Sequence, residues 1–119
     1  NNRYHAFRVD VFEPNRVWFQ TRAKATHTGE LMGAAATGKA LELPPEALSM
    51  TFNREGQVEL FTVGYVIDRT AGNTGGLGGA FGYFWGTGNP LPFPECQPFK
   101  GSLQLRLLGA LQKLLPTPE

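Results

Sequence analysis

The sequence predicts an α+β fold in which a strongly curved antiparallel sheet carries helices, and three observations lead there. Two stretches, 6–28 and 48–68, alternate apolar and polar residues around short turns, as hairpins do. Gly64 sits inside the second of them, where a residue without a side chain marks a bend or bulge. Leucines recur at helical spacing after Ser102, giving the chain a terminal helix.

The chain has 119 residues, of which 41% are hydrophobic and 18% charged, enough for one core and too few for two. A single domain over 1–119 follows, with 89–119 as a proline-rich arm and C-terminal amphipathic helix. Eleven basic and ten acidic side chains give a net charge of +1 with no basic run, so no nucleic-acid partner is expected. No apolar run approaches the ~20 residues of a membrane span. The chain opens on Asn1-Asn2 rather than Met, which reads as a processed or trimmed product whose targeting segment is absent or removed.

In the first hairpin Phe7, Val9 and Val11 alternate with Arg8 and Asp10, and Glu13-Pro14-Asn15 turns the chain. The returning strand, 17–28, divides into an odd face (Val17, Phe19, Ala23, Ala25) and an even face (Trp18, Gln20, Arg22, Lys24). Residues 29–38 are small and flexible and form an excursion, and Pro44-Pro45 stops what precedes it because neither proline donates to a ladder. In the second hairpin Leu48, Met50 and Phe52 alternate with Ser49 and Thr51. Asn53 to Gly56 supplies the turn, and 57–68 is the long return strand.

From Gly72 to Gly88 eight glycines stand among Leu77, Phe81, Tyr83, Phe84 and Trp85. Each costs a helix about 1 kcal/mol relative to alanine, so tertiary packing has to hold this segment. Their four-residue spacings allow close approach to a sheet or helix. A nucleotide-binding reading fails on detail, since the third fingerprint position is Phe81 and the flanking hairpins make no βαβ unit. Prolines 92, 94 and 98 then give an extended connection. Ser102 caps the last helix, whose stripe runs Leu103, Leu107, Leu111, Leu114, Leu115, widened by Leu105 and Leu108; its polar face is weakly cationic, which favours a core or a partner over a membrane surface.

The stretch Gly64 to Arg69, followed by Gly72-Asn73-Thr74-Gly75-Gly76-Leu77-Gly78-Gly79 and Leu91 to Glu95, resembles SnoaL-like proteins, notably those of plants and algae. The likeness extends to Thr26 to Gly29 and Pro44 to Ser49. It implies the cone fold shared with nuclear transport factor 2: a curved sheet wrapped by helices around an apolar cavity. Its enzymes include polyketide cyclases that use an Asp on a late strand for acid/base work, and Asp68 matches that position best. It also implies a plastid as a possible compartment. One departure is that family members begin with helices closing the cone, whereas strand-like sequence starts here by Ala6. Either an N-terminal part is missing, or the C-terminal helix or a partner covers the opening.

Asp68 has two readings, an acid/base in an apolar cavity or an exposed strand-end carboxylate beside Arg69. His27 as base or donor, Tyr65 as phenol donor and Arg22 as anion clamp would complete a polar cluster, with Trp18 and Phe81 binding an apolar or aromatic ligand. Tyr65 and Asp68 differ by an odd number of positions, so a regular strand would point them to opposite faces. Cys96, the only cysteine, reads as a packed or partly exposed free thiol. No metal ligand set and no cofactor motif is present. Three functions follow: a small cyclase, isomerase or hydrolase-like enzyme, a ligand-binding module, or a structural subunit of a homo-oligomer or larger assembly.

Overall fold

The first hairpin begins earlier than its alternation indicates. The computed structural model describes residues 1–116, and in it β1 spans Asn2–Val9 and pairs antiparallel with β2, Arg16–Thr26. Ala6 lies in a bulge between His5 and Arg8 and takes φ +57°, which re-aims Phe7 onto Phe19. The turn closes with Asp10 N–H donating to Arg16 C=O at 2.9 Å, and Val11 and Phe12 fall outside the strand, almost fully exposed.

Two segments then follow one another along the other edge of β2: β3, Ala40–Glu42, and β4, Glu46–Phe52. β3 pairs Lys24 with Glu42 and Thr26 with Ala40, whereas β4 pairs Thr21 with Glu46 and Arg16 with Thr51, a register one residue displaced. Pro44-Pro45 therefore separates two elements, as expected: β3 ends at Glu42 and β4 opens at Glu46. The two prolines fill the break between them, where the missing ladder donors are tolerated. The displacement resets side-chain parity, so Leu41 and Leu43 before it and Glu46, Leu48 and Met50 after it all point to one face. β5, Val58–Val66, returns after a turn in which Asn53 Oδ1 accepts from the Glu55 and Gln57 N–H groups and Gly56 takes φ +79°.

The result is a sheet ordered β1-β2-β4-β5, with β3 pairing β2. Gly64, at φ +89°, marks the expected bulge opposite Ala47 to Ser49. The strongly curved sheet does not form: the sheet is not strongly curled. The extra residues sit in β1 and β5, at the two ends of the strand order, where a bulge kinks one strand rather than bending all four.

The glycine-rich segment crosses one face of the sheet. Helix α1 occupies only Gly79–Gly86 of it. Gly78 lies against the Glu46 carboxyl and Val66, and Gly86 against Leu41, close enough that a Cβ on either would collide. Packing holds this helix, as the glycine content requires. The buried apolar core is correspondingly small: Phe19, Ala23, Leu41, Leu43 and Cys96. A single 3₁₀ turn, Pro94–Cys96, leads to α2, Leu103–Gln112, whose N-cap Ser102 accepts from Leu105 N–H at 3.2 Å. None of the α2 residues is buried, so its leucines do not serve this core. The radius of gyration, 18.4 Å, far exceeds the ~13.5 Å of a compact domain of this length.

Candidate functional site

Register assigns the expected site residues to two faces. Trp18, Arg22 and Tyr65 share one. Trp18 lies opposite Ser49, which lies opposite Thr62, and Tyr65 lies opposite Ala47, so these residues point the same way. The Trp18 and Tyr65 rings stand 6.3 Å apart at 57°, and the Arg16 guanidinium lies 4.4 Å over the Trp18 ring. Arg16 Nε also donates to Ser49 Oγ at 2.9 Å, and Ser49 bonds the Thr62 hydroxyl, so a hydroxyl pair of fully buried Ser49 and half-buried Thr62 anchors this surface. Arg3, Arg8 and Lys24 lie on the same face through their pairings. It is polar and basic.

Asp68 follows the end of β5 and so escapes the strand parity that would oppose it to Tyr65. It is exposed. The Thr70 hydroxyl, then the Thr70 N–H at 2.9 Å, hold its carboxyl below the usual range, with Arg22 adding a smaller pull. A carboxylate so held stays ionised at neutral pH and has no proton to donate. Its geometry is that of a turn-capping side chain.

His27 lies on the opposite face and is buried. Its Nδ1 accepts from the Thr37 N–H at 3.3 Å and meets Thr37 Oγ1 at 2.9 Å, which pins the 28–39 excursion; Nε2 is buried without a partner among the described residues. Phe81 lines a cleft of about 530 Å³ together with Val66, Arg69, Leu77, Pro98 and Phe99, and Asp68 is not in that wall. The structure thus gathers Trp18, Tyr65 and Arg22, sets Asp68 at their margin, and separates His27 and Phe81 from them. Cys96 is a buried free thiol. No cluster of His, Cys, Asp or Glu among the described residues is arranged to hold a metal ion.

Two residues that the sequence reading passed over organise the covered end of the sheet. Glu46 points toward α1, where burial pushes its carboxyl above the usual range while the Gly79 N–H partly restores it; burial, then Glu46, also raises the Tyr83 phenol. Its signal was a charged residue on the apolar parity of 48, 50 and 52. Asn73 docks the glycine-rich segment onto β3: its Oδ1 accepts from Glu42 N–H, its Nδ2 donates to Ala40 C=O, both at 2.8 Å, and its own N–H donates to Glu42 C=O.

Helix α1 leaves the other end of its sheet face open. On the face shared with Phe19, away from α1, Tyr4, Phe7, Val9, Phe61 and Val63 are each at least half exposed, beside half-buried Leu48 and Met50. No helix among the described residues is long and apolar enough to cross a membrane. Compared with family models, curated proteins and solved structures, the chain matches none.

Proposed function

We propose that this chain is a non-catalytic interaction module of the SnoaL-like plan, a subunit that joins a protein assembly through the open apolar face of its sheet. The observation carrying this reading is the contiguous apolar surface from Tyr4 to Val63, larger in side-chain count than the buried core itself. Monomeric proteins rarely leave such a surface to water, because covering it returns about 25 cal/mol per Å². An antiparallel sheet with a helix laid on one face supports the SnoaL-like plan. Exposed α2 adds a second apolar surface of the same character. The exposed, ionised Asp68 offers no support to an acid/base role.

Sedimentation of the chain over a range of concentrations, with an environment-sensitive dye as probe of exposed apolar surface, tests this. The parent should self-associate or bind dye, and the double variant F7D/F61D should do both markedly less while keeping its far-UV spectrum, the remainder coming from α2. A parent that sediments as a compact monomer and binds no dye refutes the reading.

A further inference from the structure

On the opposite, basic face, β1 and β2 place Arg3 and Arg22 directly across from one another. Like charges at such positions repel, and among the described residues neither forms an ion pair: the two present join Arg16 to Glu13 and Lys24 to Glu42, and Asp68 feels Arg22 only as the smallest of its influences. Lys24 lies two residues beyond Arg22 on the same face. Arg3, Arg22, Lys24 and Glu42 line a cleft of about 290 Å³. Glu42 is the one carboxylate in that wall, and Lys24 Nζ holds it at 3.4 Å. Asp68, which also senses Arg22, is engaged by Thr70.

We propose that the Arg3–Arg22 pair, with Lys24 beside it, is a binding site for the phosphate group of a small water-soluble ligand. Two guanidinium forks rising from paired strands meet a phosphate bidentately, and a dianion neutralises the charge that the pair leaves unbalanced. The strands fix both Cα positions, so only the side chains need ordering. The cleft accommodates the phosphate and a small attached group. This site lies on the face away from the open apolar surface and does not depend on the interaction reading.

The test is an NMR titration of the whole chain, following arginine Nε–H resonances as inorganic phosphate replaces chloride at constant ionic strength. Arg3 and Arg22 should move together and saturate, with a dissociation constant on the order of 1–10 mM for two solvent-facing forks. R22K keeps the charge and loses the fork, so its binding should weaken roughly tenfold; R3K should behave alike, and R106K should match the parent. The proposal is overturned if Arg3 and Arg22 respond no more than Arg54 and Arg106, or if R22K binds as the parent does. Response to phosphatidic acid vesicles without response to free phosphate also overturns it.

Discussion

The indole N–H of Trp18 donates to Asp10 Oδ2 at 2.8 Å, tying the central strand to the turn that begins it. The other carboxylate oxygen, Oδ1, accepts from the Phe12 and Glu13 N–H groups, so a single side chain closes the first hairpin. Trp18, with these backbone donors adding to it, lowers the Asp10 pKa.

A carboxyl whose folded pKa is depressed contributes stability that is complete above its unfolded value of about 3.9 and is lost as pH falls through the folded value. Asp10→Asn should therefore melt lower than the parent at pH 6, with the gap closing toward pH 2. Melting curves across that range check it, and a gap independent of pH would assign the effect to shape rather than charge.

Glu46 carries the opposite sign. Burial raises its folded pKa, so ionisation costs stability above the ordinary value of about 4.3. Glu46→Gln keeps an acceptor for the Gly79 N–H and should raise the melting temperature at pH 7, with the gain fading below about pH 4. A variant less stable at pH 7 than at pH 4, relative to parent, would reverse this assignment.

Ala6 holds φ +57° in the β1 bulge, a conformation that alanine adopts at a cost of about 1–2 kcal/mol and glycine adopts freely. Glycine's extra unfolded-state entropy offsets part of that. Ala6→Gly should stabilise by about 0.5–1 kcal/mol in urea unfolding with an unchanged m-value.

Gly72 combines φ +77° with a Cβ direction blocked by the Glu42 carbonyl, which is fixed in β3. Gly72→Ala should cost about 2–4 kcal/mol, and Asn73→Ala, which removes both side-chain bonds to β3, about 1–3 kcal/mol. Both should speed exchange of the β3 amides before those of β4; simultaneous loss would show that β3 does not open separately.

The two hairpins, the Asn53 to Gly56 turn, the Gly64 bulge and the Ser102 cap were legible because each depends on residues near in sequence. Alternation also divided β2 correctly into a Phe19 face and a Trp18 face. Pro44-Pro45 marked the break between β3 and β4, but only pairing with β2 says that β4 resumes along the same edge one residue out of phase. Asp68 stood between two readings, the cavity one resting on family likeness, and its nearest chemistry, the Thr70 hydroxyl two residues on, fits the exposed one. The same local view left Glu46 unnoticed, because its burial comes from Gly78 and Gly79 more than thirty residues away.

The phase change at Pro44-Pro45 also divides the molecule mechanically. Hydrogen bonding to β2 is interrupted there, so β3, with Asn73 docked on it, forms a short patch on the end of β2 that is separate from the β2–β4 ladder. The covered end, held to the last residues of β2 by only three residue pairs, can open as a subglobal event while both hairpins persist. Such a chain can loosen one end without surrendering the other.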